Sequence, residues 1–234
     1  MRNYLCEFIG TAILITLGNG SVANVNLNKS GMKGGGSIQI TIAWGFAVMI
    51  PALIFGTASG AIFNPALTLA LAIDGSLDWS IVPGYMAAQF LGAFVGSCIV
   101  WLMFMDHFNA TEDPDVIFGC FSTSPTIRNI PRNIFCEAMG CFILTFAVKG
   151  IGQVEISSGL NIVYLFGIIT SIGMSFGGLT GYAINPARDL GPRLAHAFLP
   201  IRHKGSSHWS YAAVPVLGPV IGSVAAVLLY KAIF

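Results

Sequence analysis

At 234 residues, of which 55% are hydrophobic and only 9% charged, the chain is too poor in charge to cover a water-facing surface; a soluble domain carries about 25% charged residues, so the outer face here is built for lipid. A formal net charge of +1 gives no field for nucleic acid or an acidic partner. The five cysteines (Cys6, Cys98, Cys120, Cys136 and Cys141) show no CxxC pair and no metal-ligand spacing, and read as small buried apolar residues rather than a metal or redox centre.

Along the chain, the first apolar stretch runs over 4–24 and holds Glu7, which a cleavable signal segment would not, so it reads as a retained membrane span. Further stretches long enough to cross about 30 Å of hydrocarbon follow at 38–57, 81–105, 131–151, 160–178 and 211–233. Between the second and third spans lies 64–73 (NPALTLALAI), and between the fifth and sixth lies 185–198 (NPARDLGPRLAHAF). Both pieces are too short to cross. Each opens with Asn-Pro, an N-cap followed by proline at the first helical position, which predicts two re-entrant half-helices. The longest connector, 106–129, is acidic and is expected as a polar loop. Trp79 and Trp209 are expected at the membrane interface, and His196, His203 and His208 in a solvated loop and helix end. Gly92-xxx-Gly96, Gly173-xxx-Gly177 and Gly218-xxx-Gly222 are expected to let helix backbones approach.

An internal repeat sets the architecture. Residues 59–66 read SGAIFNPA and 180–187 read TGYAINPA, while EFIGTAILIT from Glu7 is matched by EAMGCFILTF from Glu137. The chain is expected as one domain, 1–234, made of repeats at approximately 1–118 and 128–234. With three spans per half, the halves must lie in opposite orientations, so the half-helices enter from opposite faces and meet near the midplane. The fold class is therefore an all-α polytopic membrane protein: six transmembrane helices plus two re-entrant half-helices.

Two helix N-termini meeting at the midplane bring unpaired N–H groups and roughly half a positive charge each. Asn64 and Asn185, held by capping bonds, can turn side-chain donors toward a lumen; Pro65 and Pro186 set the chain direction, and Ala66 and Ala187 complete the two Asn-Pro-Ala motifs. Oxygen of a water or alcohol is welcome there, and a cation meets a barrier. Arg188 lies one turn beyond Asn185, where a buried arginine points to function. Asp189 is expected to bond loop backbone or Arg193 rather than Arg188. Glu7 and Glu137 are expected to accept backbone N–H bonds from the non-helical approaches to the half-helices.

These motifs resemble the major intrinsic protein family, over nearly the whole chain, and Asp189 after Arg188 with Pro215 in the last span resembles its glycerol-facilitator branch. The resemblance implies a four-residue filter at Trp44, Gly173, Tyr182 and Arg188, with two aromatic walls for a polyol's carbon chain and Arg188 for its hydroxyls. Tyr182 departs from the phenylalanine usual in that branch. The resemblance further implies a passive channel for glycerol, water and other small uncharged solutes, neutral weak acids among them, with ions and protons excluded. It implies a homotetramer in the cell membrane with both termini cytoplasmic. That orientation leaves Arg2, Lys149 and Lys231 inside against seven basic residues outside, opposite to the positive-inside tendency. No cofactor and no metal are implied. An inverted-repeat secondary transporter is the alternative, but it needs a coupling-ion site that the spans do not offer. An enzyme would need a nucleophile–base pair or metal ligands, and HExxH is absent from the sequence.

Overall fold

In the computed structural model, which describes residues 1–155, 157 and 159–234, the chain is all-helical. Among the described residues, six helices are long and apolar enough to cross a membrane: α1 (Arg2–Asn26), α2 (Gly36–Ser59), α4 (Val82–Met103), α7 (Ile130–Ile151), α8 (Leu160–Thr180) and α10 (Val214–Ile233), the last preceded by a 3-10 turn at Trp209–Tyr211. The half-helices are α3 (Pro65–Asp74) and α9 (Pro186–Phe198). Residues of both signs of polarity are inverted relative to a soluble protein. Leu53, Ile38, Phe135, Leu217 and Ile221 are exposed, whereas Glu7, Gln89, Ser97, Glu137, Asp189 and Arg193 are buried. That is the arrangement for a bundle whose solvent is hydrocarbon and whose interior must satisfy every polar group.

The two halves pack alike. A side chain at Gly96 would come within 2.6 Å of Ala12 O, and one at Gly92 would collide with Phe8 O, so α4 lies directly on the backbone of α1. In the second half Gly218 would meet Ile134 O at 2.8 Å and Gly222 would collide with Ala138 O, which seats α10 on α7 in the same manner. The third glycine pair has another use. Side chains at Gly173 and Gly177 would strike the ring of Tyr182, with its Cζ 2.8 Å away at Gly173, so this notch in α8 holds an aromatic side chain as well as Thr41 of α2, whose Cγ2 would be 2.6 Å away at Gly173. The halves join where α2 packs on α8, with the Phe46 and Phe166 rings 4.6 Å apart, and where α9 presses Gly191 against Ala93 of α4.

Two expectations are corrected. The connector 106–129 is not a simple polar loop: it forms α5 (Met105–Asn109) and α6 (Pro114–Gly119). Its apolar run bends back, burying Phe108, Ile117, Cys120 and Phe121 against Val22, Leu27 and Val100. His196 is not solvated. It is fully buried, edge-on to the Phe118 and Phe121 rings at 5.2 and 5.3 Å, with Nδ1 2.9 Å from Ser207 Oγ. The polar face of α9, which as a sequence looks made for water, is covered by the two connectors that fold over it. His203 and His208 are half-buried, Trp79 and Trp209 exposed, and Cys6, Cys120 and Cys141 buried.

Candidate functional site: a constriction between two cavities

Asn64 and Asn185 stand at the N-caps of α3 and α9 with extended backbone, and Pro65 and Pro186 follow at the first helical position. Asn64 Oδ1 accepts from Ala66 N at 3.0 Å, and Asn185 Oδ1 accepts from Ala187 N at 3.0 Å and Arg188 N at 3.2 Å. With the oxygens fixed by capping, the amide nitrogens are fixed as well. Asn64 Nδ2 donates to Ile184 O and Asn185 Nδ2 to Phe63 O, both at 2.8 Å. Each half-helix cap is thus tied to the loop that enters the opposite one. Each amide has two N–H groups, and only one is taken up by this crossed pair. The second donor of each remains for the cavity that both asparagines line.

The loops before the caps are strained in matching places. Ala61 and Phe63 in one half and Tyr182 and Ile184 in the other have φ of 51°, 50°, 38° and 43°. Non-glycine residues visit this left-handed region rarely and at a cost, so something must hold them there. Two buried carboxylates do. Glu7 Oε1 accepts from Ser59 Oγ at 2.7 Å and Ile62 N at 3.1 Å, and Oε2 from Phe63 N at 2.7 Å and Gln89 Nε2 at 2.8 Å. Glu137 Oε1 accepts from Thr180 Oγ1 at 2.6 Å and Ala183 N at 3.0 Å, and Oε2 from Ile184 N at 2.7 Å. With the N–H groups turned to the carboxylates, the carbonyls are left over. Among the described residues, those of Gly60, Ala61, Ile62, Gly181, Tyr182 and Ala183 accept no hydrogen bond from the protein, and these residues line the cavities. They form a run of acceptors along an otherwise apolar wall.

Among the described residues, two cavities of about 620 Å³ and 1050 Å³ meet at one constriction. The first is lined by Leu71, Val148 and the two asparagines, the second by Ser37, Asp115, Thr123 and Arg128. Among the described residues the linings share Trp44, Tyr182 and Arg188, and Gly173 lines the second cavity beside them. The guanidinium carbon of Arg188 lies 4.2 Å from the Trp44 ring centroid, and Nη1 donates to Phe121 O at 3.4 Å. Both aromatic walls rest on glycine. A side chain at Gly18 would collide with the Trp44 ring, and Gly173 and Gly177 receive Tyr182. Gly173 therefore gives width by letting Tyr182 lie back into α8, a role that spacing alone does not reveal.

Arg188 makes no ion pair among the described residues. Asp189, its neighbour in sequence, points away: Oδ1 pairs with Arg193 Nη2 at 2.7 Å, and Oδ2 accepts from Thr123 N at 2.9 Å and Thr123 Oγ1 at 2.7 Å. Arg193 in turn donates to the carbonyls of Ser207, His208 and Thr123 at 2.9, 3.1 and 3.1 Å. The Asp189–Arg193 pair is neutral as a unit and staples both connectors over α9. The Arg188 charge at the constriction is left uncompensated, with two positive helix ends behind it. Sequence reasoning missed Gly18, Asn19, Gln89 and the Phe121 carbonyl. The available signal was an uncharged amide inside an apolar span, at Asn19 in α1 and Gln89 in α4.

The sequence profile of the major intrinsic protein (MIP) family matches residues 1–230. A probable glycerol uptake facilitator protein of Thermotoga maritima is 48% identical over 234 residues, all of both chains. The glycerol uptake facilitator protein of Bacillus subtilis is 47% identical over all of this chain and 85% of its own length. Among solved structures, the aquaglyceroporin from Plasmodium falciparum superposes with a TM-score of 0.84 at 30% identity, covering 98% of this chain and 95% of that one.

Proposed function

The chain belongs to the major intrinsic protein family, and on that premise we propose that it is a passive channel for glycerol and water and for other small uncharged solutes. It is a transporter and not an enzyme. The observation that carries the reading is the constriction shared by the two cavities: Trp44 and Tyr182 on glycine seats facing Arg188. Glycerol has one hydrocarbon edge and one hydroxyl edge, and this opening has an apolar wall opposite a donor. Beyond it, carbonyl acceptors and the two asparagine donors exchange hydrogen bonds with a moving hydroxyl, so no step requires an unpaired polar group. Cations are turned back by Arg188 and the paired helix ends. Anions, though attracted, would have to shed their hydration shell against aromatic walls, which costs several kcal/mol. Neutral forms of weak acids avoid that cost and are proposed as further solutes.

Proteoliposomes carrying the protein should reswell in a glycerol gradient about tenfold or more faster than empty vesicles, with no saturation characteristic of a carrier and no dependence on an ion gradient. For a weak acid, flux should rise as pH falls toward the acid's pKa, following the neutral fraction. Stopped-flow light scattering reads both; flux that follows the anion, or glycerol uptake coupled to an ion, would overturn the channel reading.

Each chain encloses its own cavities, and its outer faces stay apolar along their length, as at Leu91, Met103, Leu217 and Leu228. We infer a homotetramer in the cell membrane with both termini on the cytoplasmic side. Native mass spectrometry in mild detergent is expected to give a four-chain mass; monomers alone would refute the assembly.

A further inference from the structure

One buried polar side chain behind the constriction lines neither cavity. Asn19 of α1 is 1% exposed and follows Gly18, the seat of the Trp44 ring. Its Nδ2 donates to Phe121 O at 2.9 Å, the same carbonyl that accepts from Arg188 Nη1 at 3.4 Å. Facing a carbonyl, the amide must present its nitrogen there, so its oxygen is placed by elimination. That oxygen is buried and has no partner. An amide with half its hydrogen-bonding capacity unmet in an apolar helix is harder to bury than leucine of similar size. Fold stability therefore gives no reason for asparagine here; holding the carbonyl does.

The Phe121 carbonyl belongs to a short stretch gripped from two sides. Asp189 of α9 holds the next two residues, through Ser122 Oγ to its carbonyl at 2.9 Å and through Thr123 to its carboxylate. Asn19 holds Phe121 from α1. A carbonyl oxygen has two acceptor directions. With one occupied by Asn19, the other is fixed for Arg188. At 3.4 Å the Arg188 bond is near the long limit, so displacing the carbonyl by a few tenths of an ångström would break it.

We propose that Asn19 is a positioning residue for selectivity: by pinning the Phe121 carbonyl it sets the place of the Arg188 guanidinium over Trp44, and so the ratio of glycerol to water permeation. The proposal rests on reading the constriction as the selective step of a glycerol channel. Glycerol must meet Arg188 with its hydroxyls while its carbons lie on the aromatic walls, so it feels a displaced guanidinium. A single water oxygen has no such double requirement.

The test is Asn19→Leu, with water and glycerol permeabilities measured on the same proteoliposomes and thermal unfolding followed in detergent. Water permeability should stay within about twofold of wild type, while glycerol permeability falls by about fivefold to tenfold, the factor that accompanies loss of one well-placed hydrogen bond. Tm should be unchanged or higher, because the orphaned oxygen is gone. Should the leucine crowd the Phe121 turn and give no water flux, Asn19→Ala removes the amide without adding volume and carries the same expectation. An unchanged glycerol-to-water ratio in a glycerol-conducting background overturns the Asn19 proposal alone, as does a parallel fall of both fluxes with a lowered Tm. A wild-type protein that passes water but no glycerol would overturn the glycerol reading and this proposal with it.

Discussion

Glu137→Ala should leave no working channel, and little folded protein. The carboxylate is 1% exposed and accepts three bonds, two of them from N–H groups of a loop in left-handed conformation. Removing it orphans Ala183 N and Ile184 N in a place water does not reach. Hydrogen bonds to a charged acceptor contribute about 1.5–3 kcal/mol each, so the loss is roughly 4–9 kcal/mol against a total stability of about 5–15 kcal/mol. The helix beyond cannot close in to compensate, because Gly218 already lies against the Glu137 side chain. Glu137→Gln should be milder: it keeps one acceptor oxygen but turns an NH2 toward an N–H donor. Size-exclusion profiles across a temperature series, with glycerol flux on whatever survives, check the order wild type, Gln, Ala. A Glu137→Ala protein that elutes and conducts as wild type would mean the loop is held by other contacts.

Much of this was legible in the sequence because the decisive signals repeat. Asn-Pro-Ala twice, each with a glutamate in the preceding half-repeat, needs only the chain itself to suggest two capped half-helices and two carboxylates to hold their approaches. What stayed hidden depends on contacts between distant segments. Asn19 and Phe121 are 102 residues apart, and nothing local says that one holds the carbonyl of the other. The three glycine pairs have one spacing and two uses: two join helices, and one seats a tyrosine. His196 and Arg193 lie on a helix whose polar face suggests water, yet a connector folded over it supplies their partners. Four residues beyond the cap, the first half has Thr68, bonded to Gln89, and the second has Asp189, paired with Arg193. The halves share a plan for the caps and diverge beside the constriction where the two cavities meet.

Arg188→Leu should cost the pore its barrier to cations while leaving water flux largely intact. The guanidinium lies where the two cavities meet, 7% exposed and without a counter-charge, so its field falls on the single path between them. A unit charge about 6 Å from a passing cation, at an effective dielectric of about 20, opposes it by about 3 kcal/mol, or roughly two orders of magnitude in entry. Leucine removes that repulsion and leaves the shape of the side chain's base. The two half-helix ends still carry roughly half a positive charge each and still repel, so the leak should be partial. Proton and sodium conductance should therefore rise by about one order of magnitude, and by no more than about two. Glycerol flux should fall relative to water, since the wall opposite Trp44 and Tyr182 no longer donates to hydroxyls. Dye-loaded vesicles after a pH jump, with planar-bilayer currents as a second reading, measure the leak. If the variant holds protons and sodium as tightly as wild type, the barrier lies at Asn64 and Asn185, where the caps donate into the same file, and Arg188 serves solute choice alone.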